Sequence, residues 1–98
     1  VIRFHRHART ELNAAKSWYR FQSADAAFRL ACDIDLALES VVSSPEACDL
    51  VDDDFRRIHL RKFPYHIIFK VTRPGDFLVL AVAHDRRRPD YWRRRVRA

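Results

Sequence analysis

Two stretches of the 98-residue sequence gather side chains that can bind phosphate or move a proton. In "RRIHLRK", Arg57, His59 and Arg61 fall at every second position, so an extended strand would project all three from one side. In "LAVAHDRRRPDYW", residues 80–92, an apolar run closes on His84 and gives way to Arg86, Arg87 and Arg88, then to Tyr91 and Trp92. Cleavage of RNA by its own 2′-hydroxyl asks a protein for a base, an acid and cations to stabilise the charge that builds on the phosphate. Histidine titrates in the range suited to the proton work. Arginine offers bidentate phosphate contacts that lysine cannot match. Tyr91 and Trp92 add rings able to stack on unpaired bases, and the Tyr91 hydroxyl is a further proton-transfer group. The same residues also fit a plainer reading: a solvated sheet face, a strand-end histidine bonded to backbone, and two aromatics that pack the tail onto the domain.

Positioning these groups requires a sheet and something to cover it. "VIRFH" is a short opening strand. From about Arg6 the pattern turns helical, with Ala8, Leu12, Ala15 and Tyr19 on one stripe. Ser23 is placed to cap a second helix, with Asp25 set against the helix dipole. Ala27, Leu30, Ala31, Ile34, Leu38 and Val41 or Val42 form its core face, Cys32 falls among the core-facing positions, and Asp33, Asp35 and Glu39 take the outer face. Pro45 stops this helix after about 20 residues, or about 30 Å.

The second half alternates as strands do. Ile58 and Leu60 oppose Arg57, His59 and Arg61, while Tyr65, Ile67, Phe69 and Val71 oppose His66, Ile68, Lys70 and Thr72. "RPGD" at 73–76 puts Pro74 and Gly75 where a type II turn wants them, and "FLVLAVAH", apolar on both faces, suits a central strand. Pro89 cannot donate to a ladder, so the sheet ends before it. The expectation is one α+β domain over residues 1–98. It comprises an N-terminal strand and an antiparallel helical hairpin, packed on one face of an antiparallel sheet that ends in a three-strand meander.

Composition narrows the chemistry. A single glycine argues against a glycine-rich phosphate loop. Cys32 and Cys48 fit neither a disulfide framework nor a zinc cluster and read as thiols in a reducing compartment. The consecutive aspartates of "CDLVDDDF" do not converge on one ion in extended chain and read as a solvated loop or a complement to the basic patch. No metal and no cofactor are therefore expected. The apolar stretch Phe77–Ala83 is too short to span a bilayer and no signal-peptide pattern is seen, so the expected setting is cytoplasmic, without membrane contact. Charge is segregated: +4 over residues 1–21, −8 over 22–54 and +10 over 55–98, with the late basic residues concentrated at 86–97. Such a basic half points to a polyanionic partner, nucleic acid first.

The order of elements, with "ARTELNAAKSWY", "RRIHLRKFPYHIIFKV" and "VLAVAHDRRRPDYW", resembles the RelE/ParE superfamily of bacterial type II toxin–antitoxin toxins over nearly the whole chain. The resemblance implies two helices against an antiparallel sheet. It also implies a cytoplasmic toxin wrapped by a segment of a cognate antitoxin protein, operator DNA being bound only through that antitoxin. RelE-like members cleave ribosome-bound mRNA with basic strand residues, an arginine after the last strand and often a C-terminal tyrosine or histidine. Arg61, His84, Arg86 or Arg87, and Tyr91 stand at comparable places. The implied catalytic set of a metal-independent endoribonuclease is thus Arg61 and Arg87 on phosphate, with His84 and Tyr91 in proton transfer or stacking. Arg57, His59, Arg86, Arg88 and Trp92 are the implied nucleic-acid or target-binding residues. The lysine pair of some RelE strands is replaced here by Arg57 and His59, and His7 stands where many relatives carry proline. ParE-like members instead inhibit DNA gyrase and have no comparable catalytic set. The leading expectation is ribosome-dependent mRNA cleavage, followed by gyrase inhibition, then a small nucleic-acid-binding module.

Overall fold

In the computed structural model, which describes residues 1–96, the chain opens with a strand followed by a helical hairpin that ends at Ser43. Strand β1 spans Ile2–Phe4, helix α1 Arg6–Gln22 and helix α2 Ala24–Ser43. The His5 ring accepts the His7 amide at 3.1 Å and so caps α1. Ala8, Leu12 and Ala15 are buried and Tyr19 packs at the rim of the same core. Ser23 serves both helices: its amide donates to the Tyr19 carbonyl and its hydroxyl accepts the Ala26 amide, each at 2.9 Å. One residue thus closes α1 and opens α2, which makes the hairpin sharp.

Along α2, Leu30, Ile34, Ala37 and Val41 are buried, but the outer face is not as the pattern suggested. Asp33 is only 4% exposed, because it shares the stripe of Leu30, Ala37 and Val41 at helical spacing. Its carboxylate accepts the amides of Lys62 at 2.8 Å and Arg61 at 3.3 Å, which satisfies the buried charge. Cys32, expected to pack, is exposed. Val41 rather than Val42 is the core residue.

The sheet adds β2 (Asp49–Leu50), β3 (Arg56–His59), β4 (Tyr65–Arg73) and β5 (Asp76–His84), in the order β1-β5-β4-β3-β2. β2 through β5 pair antiparallel, whereas β1 lies parallel to β5, so the sheet is mixed at one edge. Between β4 and β5, Gly75 takes φ 83°, the positive value a type II turn requires at that position. β5 is flanked by β1 and β4, and each of its faces meets a separate apolar cluster, which explains why it is apolar on both. The acidic loop, read as unpaired, contributes the two residues of β2.

One irregularity organises the rest. Ile68 pairs with Ala81 and Phe69 with Val79, leaving Leu80 as an extra residue in β5. The bulge breaks the two-residue alternation. Val79 and Val82 both join the core under the helices, while Leu80 and Ala81 join Phe55, Ile68 and Trp92 on the opposite face. That second core is closed by a 3₁₀ turn, Tyr91–Val96, whose Trp92 packs edge-on against Phe55 at 5.0 Å. Arg97, part of the basic run, lies outside the described residues.

Candidate functional site

The free margin of β5 is where most of the interesting side chains meet. β1 pairs with β5 only as far as Val79, so the following backbone needs other partners. Glu11 of α1 accepts the Val82 amide at 3.0 Å, and Arg95 donates to the Leu80 carbonyl at 2.7 Å. Arg95 also holds both Glu11 oxygens at 2.9 Å, a bidentate pair, and the Tyr91 hydroxyl donates to Glu11 Oε2 at 2.5 Å. Burial works to raise the Glu11 carboxyl. Hydrogen bonds from Arg95, Tyr91 and the Val82 amide outweigh it and hold the group below its ordinary value. Burial, then the bond to Glu11, hold the Tyr91 hydroxyl well above the ordinary phenol range. A hydroxyl so held keeps its proton and is committed as a donor.

His84 stands on the helix side of the sheet. Tyr65 meets its ring edge-on at 5.1 Å, and both line a cleft of about 400 Å³ with Glu11, Trp18, Tyr19 and Arg87. Its Nδ1 accepts the Arg86 amide at 3.1 Å. The neutral ring therefore carries its proton on Nε2 and presents a donor, not a base. Arg87 lies 3.9 Å over the Tyr91 ring and borders the clefts on both sides of the tail.

The opposite face holds a separate group. Arg57 and His59 project away from the helices, as their spacing requires, into a cleft of about 190 Å³ shared with His66, Asp85, Arg88 and Trp92. Asp85 Oδ1 is 2.8 Å from His66 Nδ1 and 3.6 Å from His59 Nδ1. Arg57 reaches Asp49 at 4.0 Å, and its Nε is buried with no hydrogen-bond partner among the described residues. Arg61 is not part of this comb. Asp33 captures the amides of Arg61 and Lys62, β3 ends at His59, and Arg61 turns to a cleft of about 640 Å³ beside α2, which Arg57 and His59 also border from the strand.

The nine residues singled out by type and spacing are therefore divided. His84, Arg87 and Tyr91 meet at the helix-side margin. Arg57, His59 and Arg88 meet on the other face, Arg61 shares with Arg57 and His59 only the cleft beside α2, and Arg86 is exposed. Trp92 is buried beneath the tail, so its ring has no face free for a base. Arg93 continues the tail's anchoring, with bonds to Asp52 at 2.7 Å and Asp90 at 3.0 Å. The first aspartate of "DDD" is thus a complement to the basic run; the Arg93 hydrogen bond, helped by the Asp54 amide, holds its carboxyl below the ordinary range.

Glu11, Asp33, His66, Asp85 and Arg95 escaped the sequence reading. One of them had a signal: a β3–β4 hairpin turning at "RKFP" pairs His59 with His66, and alternation then places both on one face. Glu11 had none, since its partners lie 71 to 84 positions away.

Comparison with known proteins agrees with this architecture. The family model described as the ParE toxin of type II toxin-antitoxin system, parDE, matches residues 2–89. A solved structure described as the chromosomal ParDE TA system from P. aeruginosa aligns with a TM-score of 0.69 at 16% identity, covering 85% of this chain and 92% of that one. At that identity the likeness speaks for the fold. No curated protein matches in sequence. Among the described residues, no helix is long and apolar enough to cross a membrane.

Proposed function

The chain belongs to the ParE toxin family of type II toxin–antitoxin systems, and from that premise we propose that it arrests growth by binding DNA gyrase, breaking no bond itself. The observation that carries this reading is the state of the Tyr91 hydroxyl, tied to Glu11 and Arg95 as part of the tail's anchor. A ribonuclease built on Arg61, His84, Arg87 and Tyr91 needs these groups around one phosphate. Here Arg61 borders a different cleft from His84, and His84 presents a donor. The helical hairpin exposes Trp18, Phe21, Phe28 and Leu36, apolar side chains that suit protein partners. A cognate antitoxin is one such partner, and operator DNA is reached through it. The test is a supercoiling assay with purified gyrase, run beside primer extension on translated mRNA. Loss of supercoiling with intact mRNA is the expected result; mRNA cuts with unimpaired gyrase would overturn the reading.

mRNA cleavage stands as the second reading, favoured by the meeting of His84 and Arg87 in one cleft. Its test is the same primer-extension experiment with His84→Ala and Arg87→Ala, which must abolish cutting if those side chains perform it.

A further inference from the structure

His59, His66 and Asp85 are used by neither reading, and they converge. His59 and His66 are directly paired across β3 and β4. The next pair, Leu60 and Tyr65, is hydrogen-bonded through the Leu60 amide at 2.9 Å, so the histidines occupy a non-hydrogen-bonded pair, in which opposing side chains lie closest. Asp85 follows β5 and is fixed by its own amide, which donates to the Pro64 carbonyl at 2.8 Å. Three elements thus bring two imidazoles and a carboxylate together, with their ligand-type atoms all within 4.8 Å of one another.

We propose that His59, His66 and Asp85 form a binding site for a divalent transition-metal ion, with Zn²⁺ the ion whose preferences they meet. Two imidazoles with one carboxylate are a ligand set suited to zinc. Zinc bonds of about 2.0–2.2 Å at tetrahedral angles place neighbouring ligand atoms roughly 3.3–3.5 Å apart. The two distances from Asp85 Oδ1, 2.8 Å to His66 Nδ1 and 3.6 Å to His59 Nδ1, bracket that edge length. The ion takes the place of the proton now shared between His66 Nδ1 and the carboxylate, and that imidazole proton moves to Nε2 or to solvent. Three protein ligands leave a fourth position open toward the cleft. Arg57, Arg87 and Arg88 border the same cleft and oppose a cation. Two of them are directed elsewhere, Arg57 toward Asp49 and Arg87 over the Tyr91 ring. The bound ion joins the β3–β4 hairpin to the exit of β5 and so fixes where the Arg86–Arg88 run begins.

The test uses purified protein without an affinity tag. ZnCl₂ is titrated calorimetrically, thermal melts are recorded with and without Zn²⁺, and Co²⁺ serves as a spectroscopic substitute. One ion per chain should bind, raise the melting temperature, and give a Co²⁺ spectrum lacking thiolate charge transfer. His59→Ala, at an exposed position, and Asp85→Ala should each weaken binding by tenfold or more, with circular dichroism confirming the fold. His5→Ala, His7→Ala and Cys32→Ser should leave it unchanged, since the stacked His5–His7 pair and the exposed thiol are the competing donors. No binding at about 1 mM Zn²⁺, undiminished affinity in both site variants, or a thiolate band would each overturn the proposal.

Discussion

The Tyr91 hydroxyl donates to the Glu11 carboxylate at 2.5 Å, and this bond ties the tail that follows the sheet to the first helix. Arg95 clamps the same carboxylate, with side-chain exposures of 12% and 16% for the two partners. Glu11→Ala leaves a phenol and the Val82 amide without their acceptor and takes the counter-charge from a largely buried guanidinium that keeps the Leu80 carbonyl. Stranding a buried ion-pair partner costs about 3–5 kcal/mol. The variant should therefore unfold at markedly lower urea than the parent, with an unchanged slope. Tyr91→Phe removes one hydrogen bond to a charged group and should cost about 1.5–3 kcal/mol. A Glu11→Ala loss below that of Tyr91→Phe would show that the anchor does not depend on the carboxylate.

Both ends of the pH scale should report the same anchor. Glu11 is held below its ordinary value, so folding favours its ionised form. Its contribution is fully present above the ordinary glutamate range and is lost as pH falls through the depressed folded value. Tyr91 is held above its ordinary value, so folding favours its protonated form. That contribution is fully present below the ordinary phenol value and is lost as pH rises from there toward the folded one. The anchor's contribution to stability, read from urea titrations of parent and variants, should be flat near neutrality and fall at both extremes. Glu11→Gln should flatten the acid limb and Tyr91→Phe the alkaline limb; an alkaline limb unchanged in Tyr91→Phe would remove Tyr91 from the account.

The same substitution bears on mechanism. If Tyr91 serves the tail's anchor, a Tyr91→Phe protein, once folded, still arrests growth and still inhibits its target. If the hydroxyl takes part in RNA cleavage, the protein folds and toxicity disappears. Trp92→Ala separates differently. Its ring is 3% exposed between Phe55 and the sheet, so truncation should cost about 3–5 kcal/mol, read as a lower urea midpoint. A Trp92→Ala protein of parental stability would show that the ring packs nothing.

Much of the fold was legible because it rests on periodicities that repeat. The stripe Ala8, Leu12, Ala15, the Ser23 cap, the Pro74–Gly75 turn and the alternation of Tyr65, Ile67 and Phe69 are local patterns, and the structure realises each of them. The candidate site was less legible because its geometry depends on exceptions. Asp33 looks like an outer-face carboxylate until the amides of Arg61 and Lys62, which follow β3, reach it across nearly thirty residues. Trp92 and Tyr91 look like tools at a sheet edge, but the tail's path buries one and ties down the other. A strand apolar on both faces gives no phase, so nothing in "FLVLAVAH" reveals which side His84 takes.

That phase is set by Leu80, and the dependence can be tested. The bulge lets Val79 and Val82 face the helices together and carries His84 to the same side. Deleting Leu80 removes the extra residue and leaves a strictly alternating strand, with Val79 toward the helices, Ala81 away and Val82 and His84 toward the helices again, so the later side chains keep their faces. Val82 should stay in the core under the helices and His84 beside Tyr65, while the second core loses the Leu80 side chain. The deletion should therefore lower stability by about 2–5 kcal/mol, on the scale of a core truncation. Leu80→Ala keeps the extra residue and removes only its packing, so it should cost about 2–5 kcal/mol while leaving His84 where it is. The imidazole resonances of His84 and His66 report the phase. The contact of His84 with the Tyr65 ring should persist in Leu80→Ala and in the deletion alike. A deletion variant in which His84 leaves Tyr65 and meets His66 would show that the strand rebuilds its bulge at another residue and that Leu80 does not set the phase of β5.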